Sequence, residues 1–240
     1  MKKILTKIKE YLFPYYSIVK NGNKIVIIDE KENKRFLKKY EIKKIKGLML
    51  LIEGRNNILT IKEPYNFQNV SVLCRGENNS ITMNSTNLAY KNLEILFSGS
   101  WNNRKICIGR NCSFFGPCRL TLTDNNSYIN IGDDCIFSHD VYIYTNDNHT
   151  ILDKNTKEIL NKGYGVEIGN HNWIGHRVSI LKNVKLADNV IVGAGAVVSR
   201  SFDRNNIAIA GNPAKILKEN VIWTIKGFDS YTKSLSRDKK

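Results

Sequence analysis

Long apolar runs are missing from this 240-residue chain. No stretch reaches the ~20 apolar residues that a membrane-spanning helix needs. Lys7, Lys9 and Glu10 interrupt the apolar core that a secretory signal over Met1 to Phe13 would require. No long Ser, Pro or Gln tract occurs, and with 42% hydrophobic residues the composition disfavours disorder. Cysteine is sparse and odd in number, five in all, with no Cys-x-x-Cys pair. That argues against a zinc site and for reduced thiols in a cytosol. Acidic residues are also few, 22 against 37 Lys plus Arg, for a net charge of +15. Residues 1–46 hold 14 of the basic residues and 5 of the acidic ones, so this fifth of the chain supplies +9. Basic clusters bind nucleic acid, anionic lipid or acidic metabolites. Lys outnumbers Arg 27 to 10 and no common nucleic-acid motif is present, which speaks against nucleic acid as a partner. The expectation is a soluble, intracellular, globular protein.

A six-residue period organises the second half. From Ile168 the chain reads IGNHNW, IGHRVS, ILKNVK, LADNVI, VGAGAV, with an aliphatic residue at 168, 174, 180, 186, 192 and 198. The same phase appears upstream in IGRNCS and FFGPCR from 108, and in IGDDCI and FSHDVY from 131. Six fits neither the 3.6 of a helix nor plain strand alternation. It fits short strands bent at regular corners, one aliphatic per hexad stacked inside a coil. The fifth position carries small apolar residues, Cys112, Cys118, Cys135, Val141, Val178, Val184, Val190 and Ala196, which suit a narrow tube and give three cysteines a packing role.

A looser repeat precedes it. Asn56-Asn57, Asn78-Asn79, Asn102-Asn103 and Asn125-Asn126 recur roughly every 23 residues, each before an isoleucine. Asn tolerates left-handed backbone and therefore suits coil corners. The expected organisation is a basic segment over 1–47, with a short amphipathic helix at Met1 to Tyr11 and a β-hairpin turning at Asn21-Gly22-Asn23. A β-helix then spans 48–210, and a helical tail spans 211–240.

The hexads resemble the [LIV]-[GAED]-x-x-[STAV]-x signature of the left-handed β-helix acyltransferases. The Ile-Gly starts at 108, 131, 168 and 174 and the closing Gly211-Asn212-Pro213-Ala214-Lys215 look like the sugar O-acetyltransferases of that family. The resemblance covers residues 106–223. It implies a left-handed parallel β-helix, a homotrimer, and acetyl-CoA lying between neighbouring prisms, with no metal.

The repeat breaks between Ile143 and Ile168, sending out a loop over 145–165, and such an excursion from a regular solenoid is a usual place for function. In the family a histidine on this loop is the general base, and His149 stands there. A sugar hydroxyl is a poor nucleophile near neutral pH, and an imidazole can take its proton as it attacks a thioester. Asp147 could orient that imidazole, as could a backbone carbonyl. The indole N–H of Trp173 and the backbone N–H of Gly175 are candidates to hold the oxyanion. The resemblance places the donor along Gly193 and Ala194, with Ser199, Arg200 and Lys215 near its phosphates. Where some members carry an asparagine for the acceptor hydroxyl, this chain has Pro117.

Two rival readings remain open at this point. A γ-carbonic-anhydrase-like hydratase would use His139, His171 and His176 on a metal, but His171 and His176 fall at different hexad positions and face different ways. A non-catalytic scaffold is the other. Within the enzyme reading the expected acceptor is a glycan or lipid-linked sugar of a bacterial surface polysaccharide. The expected place is the cytoplasm, with the basic N-terminus as a possible contact to the inner membrane face.

Overall fold

In the computed structural model, which describes residues 21–237, the chain winds into stacked coils, each adding short strands to three sheets. The first sheet runs from Lys24–Ile28 through Ile58–Lys62, Ser80–Met83, Lys105–Ile108, Tyr128–Ile131 and Gly165–Ile168 to Lys185–Leu186. The second runs from Asn66–Gln68 through Ser113–Phe114, Ile136–Phe137 and Trp173–Ile174 to Ile207–Gly211, and the third from Leu48–Ile52 to Val197–Val198. Successive coils pair in parallel without slip, as in the column Ile81, Ile106, Ile129 and Val166. This is a parallel β-helix. Antiparallel partners close its two ends, Lys34–Phe36 against the first strand and Ala214–Glu219 against Ile207–Gly211. A short C-terminal helix, Phe228–Arg237, follows.

The period of six finds its physical cause inside the coil. The aliphatic residues at 168, 174, 180, 186, 192 and 198 are at most 3% exposed, and the eight small residues at the fifth position are buried with them. The fifth position of the coil starting at Ile168 departs from that rule. It holds Asn172, fully buried, whose amide donates to the carbonyls of Gly169 (2.9 Å) and Ala187 (3.0 Å) and accepts from the N–H of Val190. Burial pushes the Cys74 and Cys118 thiols up to about 12, so they pack as small apolar groups rather than react. Along the second sheet Phe67, Tyr90, Phe114 and Phe137 form a column, with ring centroids 5.7, 5.0 and 4.6 Å apart. The Tyr90 hydroxyl in that column is buried with no hydrogen-bond partner among the described residues.

The corner between the third and first sheets is held by a ladder of buried side chains. Asn57 donates its backbone N–H to the Asn23 amide oxygen (2.9 Å), and Asn79 does the same to Asn57 (3.0 Å). Arg104 takes the next rung, donating its backbone N–H to Asn79 (2.9 Å). The Arg104 guanidinium is fully buried and makes no ion pair among the described residues. Its N–H groups go instead to the carbonyls of Ser98, Leu122, Arg75 and Gly99 and to the Asn79 amide oxygen. Burial lowers it to about 10, which leaves it charged at neutral pH. The residue before each rung, Asn56, Asn78 and Asn103, sits in the left-handed region at φ 56, 56 and 59°.

The coil starts earlier than the strict repeat suggests. Lys24–Ile28 already stacks in parallel on Ile58–Lys62, upstream of Leu48, and makes a hairpin with Lys34–Phe36 that turns at 29–33; the strand expected at Ile18-Val19, before the turn at 21–23, lies outside the described residues. The intervening 37–45, with a short helix at Lys39–Ile42, adds Leu37, Ile42 and Ile45 to the common core. At the other end the strand Ala214–Glu219 precedes the helix, so the tail is not helical throughout. The helix expected at Met1 to Tyr11 lies outside the described residues. Among the described residues no helix is long and apolar enough to cross a membrane.

Two substitutions separate the two kinds of buried polar group. Asn57→Ala strands three backbone and side-chain partners in the corner and is expected to cost about 2–3 kcal/mol in a denaturant titration. Tyr90→Phe removes only an unpaired hydroxyl and is expected to leave stability unchanged or raise it by about 1 kcal/mol. A large loss for Tyr90→Phe contradicts the orphaned hydroxyl.

Candidate active site

The same corner carries the long loop. After Val141–Tyr144 the chain leaves the coil and re-enters it at Gly165–Ile168. The loop has its own small scaffold, a bridge between Leu152 and Ile159 and an Asx turn at Asp153, whose carboxylate accepts from the N–H groups of Asn155 and Thr156. Asn161 ties the two arms together: its amide donates to the Asp147 carboxylate (2.8 Å) and to the His149 carbonyl (2.7 Å), and its oxygen accepts from Ile151 N–H (2.8 Å). Three further contacts moor the loop to the coils above and below. Asn146 donates to Asp124, Lys182 pairs with Asp147, and Tyr164 N–H donates to the Asn183 side chain (2.9 Å).

Between the loop and the corners beneath it opens a cleft of about 380 Å³, whose walls include Trp101, Asn125, His149, Asn161, Lys162 and Tyr164. That volume lies at the small end of the ~300–1,000 Å³ typical of ligand pockets. His149 is exposed there, its main chain fixed by Asn161 and its ring free of any hydrogen-bond partner among the described residues. An imidazole so presented can accept a proton from a bound hydroxyl.

Asp147 does not orient that ring in this structure. Its carboxylate is engaged by Lys182 and Asn161, which hold it below the usual carboxylate range, and it acts on His149 only through the loop backbone. Gly175 is also placed differently from expectation. It is buried, and its N–H donates to the Val192 carbonyl at 2.8 Å as part of the coil-to-coil ladder, so it is not available to an oxyanion. A Cβ there would lie 2.6 Å from the Val192 oxygen, which is why the position is glycine. Gly193 has a similar reason, since its Cβ would meet Ala210 at 2.8 Å.

Trp173 projects from the second sheet, 41% exposed, with its ring 6.1 Å from that of Trp223. Trp223 donates its indole N–H to the His171 carbonyl (2.8 Å) and stacks on the His171 ring at 4.3 Å, whereas the Trp173 N–H has no partner among the described residues. In a three-sided coil the corner bearing His149 lies opposite the second sheet. One chain therefore does not bring His149 and Trp173 together. Ala194, Ser199, Arg200 and Lys215 are exposed on the last coils, with the Arg200 guanidinium 5.2 Å above the Phe202 ring.

The histidines of the rival reading separate into two places. His139 and His176 are neighbours, with rings 5.8 Å apart and Asp140 3.6 Å from His176. His171 is held by Asn189 (2.7 Å) and Trp223. Among the described residues no group of three His, Cys, Asp or Glu is placed to hold a metal ion. Trp101, Asn161 and Lys182 are site residues that the sequence did not single out. The available signal for Trp101 was its place beside an Asn pair, two residues after a glycine.

Residues 165–200 match the family model described as bacterial transferase hexapeptide (six repeats). The chain is 32% identical over 198 residues to a polysialic acid O-acetyltransferase of Neisseria meningitidis, covering 74% of this chain and 90% of that protein. It is 33% identical over 119 residues to one from Escherichia coli O1:K1, a match spanning 50% of this chain but only 38% of that longer protein. The crystal structure of a polySia-specific acetyltransferase superposes with a TM-score of 0.64 at 29% identity, covering 80% of this chain and 82% of that one.

The mooring by Lys182 gives a test of the loop's anchorage. Because Asp147 is held below the usual carboxylate range, the ion pair is complete above that range and is lost as pH falls through the lowered value. Lys182→Ala is expected to speed amide hydrogen exchange across 147–162 at neutral pH, at a cost of less than about 1 kcal/mol in global stability. Unchanged exchange in that variant rejects the pair as an anchor.

Proposed function

Since the chain belongs to the bacterial hexapeptide-repeat transferase family, in its O-acetyltransferase branch, we propose that it moves an acetyl group from acetyl-CoA to a hydroxyl of a sugar in a bacterial surface glycan or its precursor. The observation that carries this reading is His149, presented in a polar, aromatic-walled cleft at the one long break in the repeat. The relatives named for polysialic acid support an acidic glycan as acceptor.

In this mechanism His149 removes the proton from the acceptor hydroxyl as its oxygen attacks the thioester carbon. The negative charge that develops on the carbonyl oxygen is met by the Trp173 indole N–H. Collapse of the intermediate breaks the carbon–sulfur bond, and the imidazolium returns its proton to the departing thiolate. The products are an acetyl ester and CoA. The donor lies along the last coils, past Gly193 and Ala194 with Ser199 beside it, where Arg200 and Lys215 offer cations to its phosphates.

Because His149 and Trp173 lie on opposite sides of one coil, the working site needs a second copy of the chain. A homotrimer with parallel coil axes supplies it, setting the loop of one protomer against the second sheet of the next. The enzyme works in the cytoplasm, where the basic segment 1–47 favours contact with an anionic membrane surface.

Incubation with acetyl-CoA and candidate glycans is expected to add the mass of one or more acetyl groups to an acceptor. His149→Ala should lower kcat by about two to four orders of magnitude with little change in acetyl-CoA affinity. Comparable turnover removes His149 from the role of base. The shared site has its own test. Co-refolding inactive His149→Ala with inactive Trp173→Ala in equal amounts should restore about one quarter of wild-type activity, since random trimers reunite the two intact residues at that fraction of seams. No recovery, or a monomer by light scattering, refutes the shared site.

A further inference from the structure

We propose that Trp101 is the acceptor-binding platform of the cleft, against which the apolar C–H face of a sugar ring stacks. This rests on the reading of His149 as the base at the same cleft. Trp101 is 44% exposed, a large apolar surface left open to water on a wall of that cleft. Its indole is held over a bare backbone: a Cβ at Gly99 would lie 2.8 Å from the indole nitrogen and 3.0 Å from the adjacent ring carbon, and Gly99 itself has φ +67°. Only glycine satisfies both demands.

The corner beneath the ring is fixed from inside the coil. Arg104 clamps the carbonyls of Ser98 (2.6 Å) and Gly99 (3.3 Å), and the Trp101 carbonyl passes so near Gly76 that a Cβ there would meet it at 2.0 Å. On the outer side Asn102 donates its N–H to Asn125 (2.7 Å), and its own amide oxygen accepts from Glu77 N–H (2.8 Å). The equivalent corners of the two coils below carry solvent-exposed ion pairs instead, Glu53 with Arg75 and Arg55 with Glu77. Under the loop this corner has exchanged charge for a rigid aromatic face.

Those features match the chemistry of a sugar. A pyranose has an apolar face of C–H bonds, which meets the negative face of an indole, and a rim of hydroxyls that donate and accept at once. The Asn125 side-chain N–H groups and the exposed Tyr164 supply partners for such a rim on the same cleft. Because the platform is already ordered, little conformational freedom is lost when a ring settles on it. Trp101 therefore acts on acceptor binding and leaves the donor end to other residues.

The experiment measures steady-state kinetics with polysialic acid oligomers and with a neutral oligosaccharide, together with indole fluorescence of the His149→Ala protein titrated with the same glycans. Trp101→Ala is expected to raise the KM for the acetylated acceptor roughly tenfold. The KM for acetyl-CoA and the melting temperature should hold, and Trp101→Phe should recover most of the loss. The His149→Ala protein should show a saturable change in emission with that acceptor, and adding Trp101→Phe should abolish it. An unchanged acceptor KM in an active Trp101→Ala enzyme overturns the platform while leaving the acetyltransferase reading intact. Should the wild-type enzyme acetylate neither glycan, the fluorescence titration decides alone. A saturable change that depends on Trp101 supports the platform, and no change at millimolar glycan overturns it.

Discussion

A side chain that points into the coil rests on its counterpart from the coil below, and this like-on-like stacking sets everything else in the molecule. The column of Ile81, Ile106, Ile129 and Val166 fixes the strand register of one face, and the Phe67–Phe137 aromatic column fixes another. With register set on the faces, every corner falls in line with the corner beneath it. The glycines, left-handed asparagines and inward amides of successive corners can then repeat as ladders. The loop that presents His149 is one member of such a series of corners, so its position is inherited from packing at a distance from it.

Along the ladder the chemistry changes where the outer surface changes. Asn23, Asn57 and Asn79 form a neutral, self-bonding series in which each oxygen accepts from the next rung. Arg104 ends that series with a cation whose donors are spread over five acceptors in neighbouring strand ends and corners. A longer, branched donor set reaches carbonyls that an asparagine cannot. It closes the more extended corner of 98–104, and with it the ground on which Trp101 stands.

The strict hexads were legible in the sequence because the first position of each hexad points into the core and is aliphatic without exception from Ile168 to Val198, even where the fifth position departs at Asn172. The loop was legible for the converse reason, as a break in that series. The start of the coil at Lys24 was not, because the early coils have longer corners and lose the period of six, leaving only the asparagine pairs as a trace. Even those pairs shift by one position. Asn57 and Asn79 point inward, whereas Asn103 takes the left-handed place and Arg104 the inward one. Gly175 was misread because its backbone N–H has a partner in the next coil, and no linear pattern displays a partner 17 residues away. The engagement of Asp147 by Lys182 escaped notice for the same reason.

The loop over 145–164 leaves and returns at one corner without altering the register on either side, since Tyr128 still pairs with Gly165 as Lys105 does with Tyr128. Closing a chain excursion costs only about 0.6 kcal/mol more for each doubling of its length. Evolution can therefore lengthen, shorten or replace this segment almost independently of the coil. A lineage need not rebuild the coil to change this segment: it can graft a different loop onto an unchanged stack, and the solenoid becomes a socket for interchangeable excursions.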